Sequence, residues 1–298
     1  MKVVMHKYCL EHGPFDSIIE RDPEWYFFCQ KLNSKGIYEG YMIDVTNQCN
    51  LKCKFCYHEN GNEHKSYDEI IAEAFKYGYF GPTILSGGEP TLHPDILQII
   101  NTLRGSQEFV LLTNGVKMAD EKFFDEICSA GLLYGDTLLA GLSFHKESNG
   151  KDMEVLELCR KKGYKIGTTF FVIDKLEQMH EALALAREYQ DVILTFRIKA
   201  ASNLWAESKV SEKIFVSDMI DWFGDIQIVD HQKNNKTSYA QVIVDGNINI
   251  ALISWYDKFN VDLDDINCGP WFKAKDGTIN NLATSFILNE KNDCSSEN

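Results

Sequence analysis

Proline is scarce, six in 298 residues, and nowhere do Pro, Gly and Ser collect into a linker. That argues against loosely tethered domains. Basic residues are outnumbered, 30 Lys and Arg against 44 Asp and Glu, for a formal charge of −14. A surface so negative repels phosphate backbones, so no nucleic-acid partner held by bulk electrostatics is expected. No apolar run approaches the roughly 18 residues of a membrane span. The first fifteen residues, Met1 to Phe15, contain no apolar core of signal-peptide length. The expectation is a cytoplasmic protein without a membrane. With 44% apolar and 25% charged residues, neither disorder nor a fibrous repeat is indicated.

What is present is a rhythm. From Tyr41 onward, short β-branched or aromatic runs alternate with amphipathic helical stretches. Strands are predicted at Tyr41–Thr46, Thr83–Ser86, Phe109–Thr113, Leu138–Phe144, Ile166–Val172 and Val192–Ile198. Helices are predicted at Tyr67–Tyr77, Asp95–Leu103 (with Pro94 in its first turn), Glu121–Ala130, Lys151–Lys162 and Leu176–Tyr189. Strand starts recur roughly every 26 to 30 residues, the length of a β-loop-α-loop unit. Six such units give an α/β fold, an open partial (β/α)6 TIM-like barrel with function at the carboxyl ends of its strands. A doubly wound flat sheet fits the same pattern.

After Ala200 the rhythm changes. A helix at Val210–Phe223, a short strand at Ile226–Val229 and a hairpin, Tyr239–Val244 with Ile248–Ile253 around Asp245-Gly246, make a small C-terminal α+β addition. The stretch Ser254–Lys273 is rich in large aromatics, which either cover an open barrel side or pack on its helices. The expected organisation is an N-terminal extension (1–39), a barrel core (40–200), a C-terminal region packed on the barrel (201–288) and a frayed tail (289–298).

Nine cysteines suggest a reducing compartment, where clustered thiols point to metal rather than disulfide. Six are solitary; Cys128 and Cys159 read as small buried residues of helices. Cys49, Cys53 and Cys56 stand together, as Cys-x3-Cys-x2-Cys directly after the first predicted strand. An electron-transfer [4Fe–4S] centre takes four cysteines. Here there are three, and no fourth at ferredoxin spacing, which leaves one iron open to a ligand that is not protein. Zinc with His58 as fourth ligand, or a thioredoxin-like Cys53-x2-Cys56 pair, are the competing readings.

The triplet, with Phe55 before its last cysteine, resembles the radical S-adenosylmethionine (SAM) superfamily. Three further motifs carry the resemblance at successive strand ends: Ser86-Gly87-Gly88-Glu89-Pro90, Leu111-Leu112-Thr113-Asn114-Gly115 and Leu142-Ser143-Phe144. It spans roughly residues 40–198. It implies that Cys49, Cys53 and Cys56 bind a [4Fe–4S] cluster, and that SAM chelates the open iron. It further implies that Gly87, Gly88 and Glu89 meet the methionine end of SAM, with Asn114 nearby and Ser143 at the ribose. A low-potential donor of the flavodoxin or ferredoxin type would reduce the cluster. Reductive cleavage of SAM would then give a 5′-deoxyadenosyl radical that takes a hydrogen atom from a substrate. Gly-Gly-Glu-Pro and Asn114-Gly115 also read as ordinary turns, and Ser143 as a helix cap.

Other residues attract attention on their own. Arg197 and Lys199, two apart on the sixth strand, share a face. Directed inward, Arg197 could hold the SAM carboxylate or a substrate acid; directed outward, both are solvent charges. His145, just past the fourth strand, could reach cofactor or substrate, or stand on a surface loop. Cys268 lies among aromatics and could relay a hydrogen atom, or simply pack. Cys9-x2-His12, with Cys29 as a further ligand, resembles a zinc-knuckle remnant. The expected substrate is a small metabolite, a nucleotide or amino-acid derivative, with a peptide or protein side chain as the alternative. A non-catalytic iron–sulfur or zinc protein is the rival from another class.

Overall fold

A computed structural model describes residues 2–9, 13–30, 40–53, 56, 60–78, 81–201, 214–233, 237–255, 271–273 and 279–281. The first motif is one the sequence did not signal. Strands β1 (Val3–Cys9) and β2 (Gly13–Glu20) form an antiparallel hairpin, followed by helix α1 (Pro23–Gln30).

The repeating units follow. In order they are β3 (Tyr41–Thr46), α2 (Tyr67–Tyr77), β4 (Thr83–Gly87), α3 (Ile96–Arg104), β5 (Phe109–Thr113), α4 (Glu121–Ile127), a two-residue β6 (Leu133–Tyr134), β7 (Thr137–Phe144), α5 (Lys151–Lys162), β8 (Lys165–Ile173), α6 (Met179–Glu188) and β9 (Phe196–Ala200). Local chemistry sets the bounds. Ser66 caps α2: its hydroxyl accepts the Glu69 N–H, while Glu69 reaches back to the Ser66 N–H, a reciprocal capping box. Asp120 caps α4 by accepting the Phe123 N–H at 2.8 Å.

Strands β3, β4, β5, β7, β8 and β9 pair side by side, parallel and in chain order. A doubly wound sheet reverses its strand order at a switch point, and this one does not, so that alternative falls. Beyond β9 come α7 (Val216–Phe223), β10 (Gln227–Lys233), β11 (Thr237–Val244) and β12 (Ile248–Trp255). β12 pairs parallel with β9, and β11 and β10 continue antiparallel. At the other edge β13 (Trp271–Lys273) pairs with β3 and with β14 (Ile279–Asn281). The sheet of twelve strands is mostly parallel and open.

β3 and β4 are buried almost throughout, while burial alternates along β5 and β9 and marks the two faces of the sheet there. On β5, Phe109, Leu111 and Thr113 are buried, and on β9 Phe196, Ile198 and Ala200 are. This face packs on the helices: α2 on β3, α5 on β7 and β8, α6 on β9 and β12. Rings of Phe144, Phe171 and Phe196, from three neighbouring strands, meet there with centroids 6.0 to 6.4 Å apart. The intervening residues, among them Leu112, Ser143, Arg197 and Lys199, face the opposite, inner side and are half-buried.

Several expectations need correction. Pro94 lies in the turn before α3, not in its first turn; Asp95 is the cap residue, and it is Pro90 that opens a short 3-10 turn. α4 stops at Ile127, followed by a wide turn through Leu132. The sixth barrel strand begins at Phe196: Val192 and Ile193 donate their N–H groups to the Tyr189 carbonyl, in the turn that ends α6. α7 begins at Val216. Phe55, His58, His12, Cys268, Cys294 and the tail 289–298 lie outside the described residues.

Candidate cluster and cofactor site

The carboxyl end of β3 runs directly into the cysteine loop. Two backbone hydrogen bonds pin the loop's base to the end of β4, and a side-chain bond ties it to the segment that follows the cysteines. The Gly88 N–H donates to Thr46 O and the Glu89 N–H to Gln48 O, each at 2.8 Å, and the Thr46 hydroxyl donates to Glu63 O at 2.9 Å. The glycines of the second motif make this approach possible. Gly87 sits at φ +125°, and a Cβ there would lie 2.2 Å from Thr46 O; at Gly88 it would lie 2.4 Å from Gln48 O. The space freed by the two absent side chains is therefore filled by the cysteine loop itself.

Glu89 is buried and ties three segments together. Its Oε1 accepts the Thr91 N–H (3.0 Å), the Thr91 hydroxyl (2.6 Å) and the Thr113 hydroxyl (2.8 Å); Oε2 accepts the Asn114 N–H at 2.7 Å. Burial raises its pKa, and these donors oppose that rise. Lys117, whose ammonium donates to Thr91 O at 2.7 Å, is held below its usual range by partial burial, with Glu89 opposing. The carboxylate is thus already engaged by the chain through four donors. Asn114 completes the bridge: its Nδ2 donates to Asn50 Oδ1 at 2.8 Å and lies 3.9 Å from Cys49 Sγ, while its Oδ1 accepts the Val116 N–H.

Cys49 and Cys53 are half-buried and Cys56 is exposed. The Leu51 N–H points at Cys49 Sγ (3.4 Å). Burial pushes the Cys49 thiol up, and the Cys53 thiol up to about 12, with the charges of Glu89 and Glu147 respectively adding to the effect. Three soft sulfur donors on one short loop suit a thiophilic centre. Among the described residues the remaining cysteines with placed side chains, Cys128 and Cys159, are on the helical side. Their burial pushes them up to about 11 and about 12, as small packed residues.

The structure brings His145, which the sequence offered as able to reach cofactor or substrate, to the cysteine loop, together with Glu147, which the sequence did not signal. His145 Nδ1 lies 3.3 Å from Cys53 Sγ, and its backbone N–H donates to Asp152 on α5 at 2.9 Å. Cys53, His145 and Glu147 put one donor atom each within 4.8 Å of one another, a group able to take a metal on geometry alone. Desolvation keeps His145 below its usual pKa. Its position directly after a strand was the available signal. Thr91, Thr113 and Asn50 were invisible, because their role is to serve Glu89 and Asn114.

Ser143 is half-buried on the inner face of β7, in register with Phe170 of β8. Arg197 faces inward, in register with Phe170 on one side and Ala251 of β12 on the other; its guanidinium carbon stands 5.5 Å from the Phe170 ring centre. The cysteine loop, Glu89 and Asn114 thus follow the carboxyl ends of β3, β4 and β5, while Ser143 and Arg197 stand on the inner face of β7 and β9.

Comparison with known proteins follows this geometry. The model of the radical SAM superfamily matches residues 43–196, just over half of the chain, and the chain belongs to that superfamily. The superfamily uses a [4Fe–4S] cluster and SAM. The 7,8-dihydro-6-hydroxymethylpterin dimethyltransferase of Methanocaldococcus jannaschii is 28% identical over 205 residues, covering 55% of this chain and 40% of that protein. A probable GTP 3',8-cyclase of Methanococcus maripaludis is 31% identical over 140 residues, 43% of this chain and 46% of that one. The aligned part thus spans less than half of either relative. Among solved structures, Streptococcus suis SuiB bound to S-adenosylmethionine superposes with a TM-score of 0.48 at 20% identity, covering 62% of this chain and 47% of that one. No helix among the described residues is long and apolar enough to cross a membrane.

Proposed function

We propose that this chain is a cytoplasmic radical SAM enzyme acting on a small metabolite. The observation that carries the reading is the convergence at three adjacent strand ends. The cysteine loop after β3, Glu89 after β4 and Asn114 after β5 are joined by direct hydrogen bonds. Cys49, Cys53 and Cys56 would hold the [4Fe–4S] cluster. When bound, the cluster supplies the electron that cleaves SAM to a 5′-deoxyadenosyl radical. Glu89 and Asn114 fix the base of the cysteine loop at the strand ends that border the inner face. Ser143, on that face, would meet the ribose of SAM. Names of the curated relatives support a small heterocyclic substrate: one acts on a hydroxymethylpterin, the other on GTP.

The test is anaerobic reconstitution with iron and sulfide, reduction in the presence of SAM, and chromatography for 5′-deoxyadenosine. Product is expected from the parent protein and not from a Cys49/Cys53/Cys56 triple alanine variant. Zinc in place of iron after anaerobic purification, with no cluster on reconstitution, would sink the reading.

A further inference from the structure

We infer that the substrate carries an acid group, a carboxylate or phosphate, and that Arg197 binds it. The inference rests on the radical SAM reading above and adds the substrate's chemical class. Four observations converge. First, Arg197 is directed to the inner face by strand alternation, since Phe196 and Ile198 are buried among the helices. Second, its Nε is buried and has no hydrogen-bond partner, and no described residue pairs with the guanidinium. A buried guanidinium N–H left without an acceptor is costly, and native chains keep such groups where a ligand supplies the missing acceptor.

Third, the guanidinium is braced. It leans on the Phe170 ring at 5.5 Å, and Phe170 Cε2 occupies the space beside Gly141, 2.8 Å from where a Cβ would stand. Stacking on a ring fixes the plane of the fork while leaving its edge N–H groups open to a bidentate acceptor. Fourth, the surroundings suit a small polar ligand. Ala251, the β12 neighbour, contributes only a methyl group, and Lys199 stands two residues further along the same face. On β11 the Tyr239 hydroxyl donates to Gln241 Oε1 (2.8 Å), next in register to Ala251.

The whole chain, Arg197 included, bears a formal charge of −14, so its overall field repels anions. A local, desolvated cation is what an anionic substrate would need here. Two strand spacings, about 10 Å, separate Arg197 from Ser143. An acid held at Arg197 would therefore lie on the same face as a SAM whose ribose meets Ser143, with Phe170 between the two positions.

Inorganic phosphate is the probe. Its binding, followed by 31P line broadening on the full chain, requires neither cluster nor SAM, so it can fail while deoxyadenosine formation succeeds, and the reverse. The parent protein should bind phosphate; Arg197→Met should weaken binding at least about tenfold, and Arg197→Lys should retain part of it. Phosphate should also slow the modification of Arg197 by phenylglyoxal in the parent, a readout that needs no variant to fold. On reconstituted protein, saturating SAM should leave phosphate binding in place. Equal phosphate binding in the Met variant, or no protection of Arg197, would overturn the assignment. So would displacement of phosphate by SAM, because the guanidinium would then serve SAM's own carboxylate.

Discussion

The backbone N–H of Asn114 donates to Glu89 Oε2 at 2.7 Å, across the ends of two adjacent strands. Glu89 Oε1 already accepts three donors. Replacing the carboxylate by an amide sets an NH2 group against one of these N–H or O–H donors. Glu89→Gln should therefore lower stability by about 2–3 kcal/mol, read from urea unfolding at neutral pH. A variant as stable as the parent would show that Glu89 is protonated in the fold, the direction in which burial pushes it.

Gly88→Ala tests the contact between the second motif and the cysteine loop. The new methyl group would stand 2.4 Å from Gln48 O and 2.7 Å from Gln48 C, both backbone atoms that cannot rotate aside. The loop must shift. Iron bound per chain after reconstitution should fall several-fold, while the loss of stability stays within the roughly 1–3 kcal/mol of a local overpacking. Full iron loading would mean that the loop's placement on β4 is not what holds the sulfurs in position.

Gly141→Ala acts further along the inner face, on β7. Here the methyl would meet Leu112 Cδ2 at 2.7 Å and Phe170 Cε2 at 2.8 Å, the ends of side chains that can turn away. The protein should fold, at a cost of about 1–3 kcal/mol, with Phe170 displaced from beneath Arg197. Phosphate binding should then weaken several-fold without any change at Arg197 itself. Unchanged binding would remove Phe170 from the account of that site.

Glu20 gives a pH dependence remote from the sulfurs. Its buried carboxyl accepts the Arg21 N–H (2.8 Å), the Asp22 N–H and the Ser217 hydroxyl of α7. Burial nevertheless raises its pKa above 4.5. In that interval the native state keeps a proton that the unfolded chain releases, so this group's contribution to stability falls as pH rises. Glu20→Gln removes the dependence. The stability of the parent minus that of the variant should therefore shrink between about pH 5 and about pH 8. A constant difference across that range would refute the assignment.

Much of the barrel was legible because its signals are local. The bounds of β5, α2 and α5 follow from alternation and caps that a short window contains, and those of β3 from a short apolar run. Val192 and Ile193 misled for the opposite reason. They are β-branched and buried, but they pack in the turn after α6, and only Ile193 makes an isolated bridge to the sheet. The pairing of β12 with β9 joins residues more than 50 apart, which no window reveals. At the site, the motif residues could be found from the sequence, but their partners could not. Thr113 reaches Glu89 from 24 residues away, and the direction of Arg197 depended on a register that only the assembled sheet defines.

The two ends of the parallel row have a consequence for closure. A parallel barrel closes when its first strand pairs with its last; here those edges, on β3 and β9, are already taken by β13 and β12. Beyond these additions, each end of the row finishes on a strand paired antiparallel, β14 and β10. The gap in the wall is therefore written into the connectivity of the chain, and its hydrogen bonds would have to be broken and exchanged before it could be sealed. Among the described residues, β3 and β9 could meet only by giving up the partners they now hold.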